Sequence, residues 1–355
     1  MKEASNLPGI AQASNVAFRS AKVAPIRGAK GDIGTVIHRT ILNRLRFQTA
    51  RLVDNWDRFW FSSRPQGDMI WLRVAIGIAA AIYALTWLTS LGSWTSDDSL
   101  LSQSQTEFLI GRGVEGTGSE GRVSPLFTLV PSGLAWVYVL LTSVACFIVA
   151  FGVGGRSAVL VAWALLLGLV HRVPMLQGPG DFLITGVFGY LFICPGGKFL
   201  NLNRDESIDR VANSWLCNVA IRMFQCHIFL WFAASLASHL AEPMWWNGTA
   251  PWWLSFNGDQ SWVSMRFWLD HPYVMNLVCS SILGLQAWIL VSFLVPSWRS
   301  SGTVALVAFA LFNLVIANDW IYSLAIVACI PTLLVPSGSA LRSKEFSSAG
   351  ASPSR

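Results

Sequence analysis

Charge is what this sequence has least of. Only 12% of its 355 residues are Asp, Glu, Lys or Arg, against about a quarter in a soluble domain. A chain so poor in charge cannot cover a water-facing surface, which excludes an ordinary soluble globular protein. Metal-binding and disulfide signals are lacking too. The six cysteines, Cys146, Cys194, Cys217, Cys226, Cys279 and Cys329, lie in or beside apolar runs, and none is spaced CxxC. They read as free thiols packed among helices, neither a disulfide framework nor a metal site. Five histidines are a small stock for metal chemistry, and no HExxH or Ser/His/Asp order occurs. The glycines of 111–121 follow no strand and form no phosphate loop. No apolar run precedes Ile70, so no cleavable signal peptide is expected and the first span serves as the insertion signal.

What is present is hydrophobic length. Hydrophobic residues make up 53% of the chain, gathered in runs near 70–92, 132–153, 157–173, 181–195, 214–240, 274–296, 302–317 and 320–336. The third, fourth, seventh and eighth fall short of the roughly 20 residues of a straight span. The expected fold is an all-α polytopic membrane bundle of six to eight transmembrane helices, occupying residues 63–336. Residues 1–35 are rich in Ala, Ser, Gly and basic residues without a period, and are expected to be disordered, as is the tail 337–355. Residues 36–62 have helical period, with Ile37, Ile41, Leu45, Leu52, Trp56 and Trp60 set among Arg39, Arg44, Arg46 and Arg51. This predicts an amphipathic helix, either on the cytoplasmic membrane surface or packed on the protein's own loops.

The net charge of +6 is uneven. Residues 1–69 hold eleven basic and five acidic side chains, so the remainder sums to zero. The loop 93–130 carries Asp97, Asp98, Glu107, Glu115 and Glu120 against Arg112 and Arg122, and reads as a flexible external loop. Arg156, the group Lys198, Arg204 and Arg210, Arg299, and the tail's Arg342 and Lys344 fall in the alternate connections. With eight spans this places both termini in the cytoplasm, with a bacterial inner membrane as the expected location. The partner implied is the anionic bilayer. No folded basic module for nucleic acid is present.

The most polar of the apolar runs is 214–240. On a helical wheel His227, Trp231, Ser235 and Ser238 share one arc, Gln225 and His239 lie next to it, and Arg222 points away. Such a stripe faces inward, for interhelical hydrogen bonds or for a cavity. After His171, Arg172 and Asp181 bracket a Gly-Pro turn, with Asp181 at an N-cap position. They form an ion pair, or Asp181 handles a proton. The segment 243–268 holds six tryptophans, including Trp245 and Trp246, with Asn247-Gly248 as a turn. It is an interfacial belt or lid, or an aromatic-lined access path. Gln286, Asn313, Asn318 and Asp319 are isolated polar residues expected to join helices.

Four stretches resemble the HTTM (horizontally transferred transmembrane domain) superfamily, which includes the membrane part of vitamin K-dependent gamma-carboxylase. They are WTSDDSLL with SPLFTLVPSGLAWVY, FGVGGRSAVLVAWALLLGLVHRVPMLQGPGDFL, CPGGKFLNLN, and RMFQCHIFLWFAASLASHLAEPMWWNGTA. The resemblance implies a helical membrane domain with a cavity for a lipid or quinone-like ligand, a vitamin K-like cofactor among them. In the carboxylase a lysine acts as base on reduced vitamin K. Read back from WWNGTA, its position falls on His239, and on Ser238 or Ala237 with a small shift, so the lysine is missing. Gln286 stands for a Glu and Asn313 for a His, whereas Arg172 and Gly180-Asp181 are kept. The resemblance thus implies His239 as candidate base supported by Arg172 and Asp181. Gln225, His227, Trp245, Trp246, Asn247, Gln286 and Asn313 would contact ligand. Carboxylation itself is disfavoured. A non-catalytic scaffold or partner subunit with a decayed site is the other reading.

Overall fold

The computed structural model describes residues 33–65, 69–95, 124–172, 177–194, 213–256 and 262–334. Of the arm expected to be disordered at 1–35, residues 1–32 lie outside the described residues, as does the tail 337–355, whereas 33–35 are helical. Of the loop expected at 93–130, residues 96–123 lie outside the described residues, and Leu91–Thr95 and Pro125–Thr128 at its ends are short helices rather than flexible loop. By internal contacts the chain divides into two compact units, Met1–Asp54 and Asn55–Arg355. The first is helical from Ile33 on, and that helix, α1, runs Ile33–Phe61. The amphipathic segment expected at 36–62 is therefore a helix with nearly those bounds.

Among its described residues the second unit is helical apart from turns and a two-residue antiparallel ladder, Arg64–Pro65 against Asn213–Ser214. Its long helices are α2 (Ile70–Thr86), α3 (Ala135–Phe151), α4 (Gly155–Val170) and α5 (Pro179–Ile193), followed by α6 (Trp215–Ala241), α7 (Pro272–Leu294), α8 (Arg299–Ile316) and α9 (Trp320–Leu334). Each of the eight apolar runs has become one helix. Among the described residues four helical segments are long and apolar enough to cross a membrane: Ile70–Thr89, Trp215–Ala241, Pro272–Leu294 and Pro296–Ile316. Ala135–Phe151, Gly155–Val170, Pro179–Ile193 and Trp320–Ile330 are apolar but shorter.

Neighbours in sequence pack side by side from α2 to α9, and α9 returns to α2, so the bundle closes. Helix α5 also packs on α9 across the middle. Helices α2 and α3 approach closely: a Cβ on Gly77 would lie 2.8 Å from that of Ala150, so only glycine lets these backbones meet. The core of this bundle is built from Leu72, Ile76, Leu166, Val187, Phe188, Phe224 and Phe232, all at or below 2% exposure. The outer faces stay apolar. Leu230, Leu277, Leu294 and Val304 are each more than 60% exposed, an arrangement unsuited to water and suited to lipid.

The interior is joined by tyrosines and amides. Asn218 Nδ2, fully buried, donates to the carbonyls of Phe59 and Trp60 at 2.7 and 2.8 Å, holding the end of α1 to α6. Tyr138 donates to Leu165 O at 2.8 Å, linking α3 to α4.

Candidate ligand cavity

Helix α6 begins at an N-cap, where Ser214 Oγ accepts from Leu216 N at 3.2 Å. It runs without Pro or Gly for 27 residues. It then stops at Glu242-Pro243, because the proline cannot donate to a continuing helix. The chain folds back there as the short helix Pro243–Trp246. That reversal lays Trp245 flat on His239, with ring centroids 4.0 Å apart and planes 24° apart. Trp245 is thereby buried, while Trp246 is 63% exposed and ties its indole N–H to Leu240 O at 2.8 Å.

His239 is fixed from a second side. Its Nδ1 lies 3.0 Å from Gln286 Oε1 on α7, and Gln286 Nε2 donates to Ser235 Oγ at 3.0 Å, back on α6. Gln286 is wholly buried. In this amide orientation the carbonyl oxygen faces the imidazole, so Nδ1 carries the hydrogen and Nε2 keeps its lone pair. Among the described residues Nε2 has no hydrogen-bond partner.

These groups border a cavity of about 390 Å³ between α6, α7, α8 and α9. Trp231, Ser235, Ser238 and His239 supply the α6 wall, with Ile282 from α7, Phe309, Phe312 and Asn313 from α8, and Tyr322 from α9. Asn313 donates to Phe309 O at 2.8 Å, and its Oδ1 has no partner among the described residues. Trp231 donates to the Tyr322 hydroxyl at 2.8 Å, which leaves the tyrosine proton for another acceptor. The lining is largely apolar, with an imidazole, an amide, hydroxyls and an indole converging on it. It suits a flat or chain-like molecule bearing one or two polar groups.

Beside the cavity two carboxylates cap two helices. Gly178 N donates to Asp181 Oδ2 at 2.8 Å, and the Tyr83 hydroxyl lies near the same side chain. Tyr322 N donates to Asp319 Oδ1 at 3.0 Å. The helix starts at Pro179, with Gly178 as its cap and Asp181 in the first turn. The N-cap expected at Asp181 therefore lies three residues earlier, and proline takes the first helical position that suits it. Nor does Asp181 pair with Arg172. Its carboxylate accepts from a backbone N–H instead, as the start of a helix readily permits. Gly180 lies against α9: a Cβ there would meet Tyr322 N at 2.8 Å.

Of the residues singled out in the sequence, the fold gathers His239, Trp245 and Asn313 at one cavity, with Gln286 bonded to His239 behind its wall. His227 stands apart, with Nδ1 2.8 Å from the Tyr190 hydroxyl and its ring edge-on to Trp231. Gln225 lies fourteen residues before His239, about 21 Å along the helix, and serves a different site with Arg222. Asn247 uses its side chain within its own turn, accepting from Thr249 N and Oγ1 at 3.0 and 2.7 Å. Neither Trp246 nor Asn247 lines the cavity. Arg172 is buried and also lies outside the lining.

The sequence reading missed Tyr322, Tyr190 and Tyr83. Only five tyrosines occur in the chain, and a phenol inside an apolar run needs a hydrogen-bond partner. That scarcity was the available signal. Among the described residues no group of three or more His, Cys, Asp or Glu is placed to hold a metal ion. Comparison with family models, with curated proteins and with solved structures finds no match for this chain.

Proposed function

We propose that this chain is a multi-pass membrane protein of the HTTM-like class that binds a lipid or quinone-like ligand in the cavity beside His239. In this reading α2 to α9 are eight spans, both termini are cytoplasmic, and the membrane is a bacterial inner membrane. Helix α4, at 16 residues, rises about 24 Å, short of the roughly 30 Å hydrocarbon layer. It spans by local thinning beside its longer neighbours.

The observation that supports ligand binding most is the state of His239. Its ring is clamped by Trp245 and Gln286, yet one nitrogen has no partner among the described residues at the edge of an apolar cavity. A lone pair held there accepts a hydrogen bond from a hydroxyl, so a quinol fits better than the corresponding quinone. The Tyr322 hydroxyl is positioned to donate to a second ligand oxygen. The same Nε2 supports a second reading, in which His239 takes the quinol proton as a general base. The neutral Gln286 and Asn313 favour binding, or a scaffold with a decayed site, over carboxylation.

The test is equilibrium binding of a short-tailed naphthoquinol to the purified full-length protein. The reading expects saturable binding, weakened about three- to tenfold in His239→Ala, the loss of one neutral hydrogen bond. No binding to the native protein, or equal binding by the variant, would sink it.

A further inference from the structure

A second cavity, of about 470 Å³, opens at the other end of α6 between α6, α7 and the start of α8. Arg222 and His239 are seventeen residues apart, about 25 Å of helix, so this site is separate from the quinol cavity. Its walls are Phe229, Leu230, Phe293 and Leu294, and its polar end carries Arg222, Gln225 and Arg299.

Arg222 is 3% exposed, and its position is fixed. Its guanidinium lies over the Phe59 ring, 4.5 Å from the centroid, and Nη1 donates to Gln225 Oε1 at 2.8 Å. Both partners are neutral. Its Nε is buried with no hydrogen-bond partner. Among the described residues the charged side chains that act on it, Arg64 and Arg299, carry its own sign, and the Cys226 side chain also acts on it, in the opposite sense. Burying a cation whose own bonded partners are neutral beside like charges is costly, and an anion at the open end of the cavity would reduce that cost. The start of α8 adds the positive end of an 18-residue helix.

The apolar walls distinguish the kind of anion. Leu230 and Leu294 are 63% and 70% exposed at the rim, so the cavity continues into the lipid-facing surface. A free phosphate would use the arginines and leave that groove empty. We propose that this cavity binds an anionic phospholipid, its phosphate at Arg222 and Arg299 and an acyl chain along Phe229 and Phe293. The proposal rests on the membrane reading of the chain and not on the cavity at His239. It agrees with the cytoplasmic placement of the Arg299 connection, since the cytoplasmic leaflet is the anionic one.

The probes are phosphatidylglycerol, phosphatidylcholine and inorganic phosphate, each offered to the detergent-purified full-length protein, with retained lipid counted by native mass spectrometry. Phosphatidylglycerol is expected to be held at least about tenfold more tightly than phosphatidylcholine, the scale of a charge-assisted hydrogen bond. That preference should fall about tenfold in Arg299→Gln and in Leu294→Glu, which sets a repelling carboxylate at an exposed rim position. Arg222→Gln should abolish it, and if that variant fails to fold the two rim variants still decide. Equal retention of the two lipids, or a preference untouched by both rim variants, would overturn the proposal. So would displacement of phosphatidylglycerol by millimolar inorganic phosphate. Naphthoquinol binding in Leu294→Glu should stay at its native value, which separates failure here from failure at His239.

Discussion

His239 on α6 and Gln286 on α7 are joined at 3.0 Å between Nδ1 and Oε1, and Gln286 returns to Ser235 on α6 at 3.0 Å. One buried amide thus spans two positions a turn apart on the facing helix, and it sets the imidazole tautomer. Replacing it by an apolar side chain of similar size, Gln286→Leu, leaves the His239 N–H without its acceptor. The expected cost is about 1–3 kcal/mol of stability, together with weaker quinol binding. Thermal unfolding and binding measured on the same sample check both.

The two neighbouring tryptophans should behave differently. Trp245 is buried against His239 and lines the cavity, whereas Trp246 is exposed and bonds only Leu240 O. Trp245→Ala is expected to lower ligand affinity at least about tenfold, through loss of a stacked aromatic wall. Trp246→Ala should leave affinity within about twofold. An effect of equal size at both positions would mean that the segment acts as a lid as a whole.

Gly180 and Gly178 offer a steric comparison two residues apart. A methyl on Gly180 meets the Tyr322 backbone at 2.8 Å, while one on Gly178 meets nothing closer than Asp319 Oδ2 at 4.0 Å. Gly180→Ala should therefore force α5 off α9 and destabilise by about 1–3 kcal/mol. Gly178→Ala should be close to neutral. Thermal midpoints of the two variants decide the point.

Asp319 lies in the connection between α8 and α9, and burial raises its carboxyl above the usual 3.8, against the Tyr322 N–H bond that lowers it. The folded state therefore holds this proton more tightly than the unfolded chain. Its contribution to stability is fully present below the unfolded value and is lost as pH rises through the raised folded one. Asp319→Asn keeps an acceptor for Tyr322 N without the charge. The variant is expected to gain on the native protein in unfolding experiments as pH is raised from about 4 toward 8. A native protein that gains on the variant over that range would contradict this account of the Asp319 environment.

Much of the fold was legible because lipid-facing helices announce themselves by apolar length. All eight runs became helices, but apolar length misjudged two: 302–317, expected to fall short, lies largely in the 21-residue segment Pro296–Ile316 that is long enough to cross, and 132–153, expected to be long enough, gave the shorter Ala135–Phe151. The wheel also placed Trp231, Ser235 and Ser238 together, and they do line one cavity. It failed for His227 and Gln225, neither of which lines that cavity, because a projection down the axis discards height, and height separates Gln225 from His239 by most of a membrane's thickness. The partner of Asp181 was not legible either. Charge alone suggested Arg172, but the helix start at Pro179 puts a backbone N–H within reach. The arginine cavity was hidden for the same reason. Arg222 and Arg299 lie on helices whose packing no local pattern reveals.

The central claim is that a quinol-like molecule sits beside His239. The most direct measurement is photolabelling of the full-length protein with a diazirine-bearing naphthoquinol, followed by mapping of the labelled peptides. The account predicts label on the α6 segment around Trp231–His239 and on α8 around Phe309–Asn313, competed away by unlabelled quinol and reduced in His239→Ala. Label confined to the groove of Phe229 and Phe293, or label that excess quinol does not displace, would contradict it.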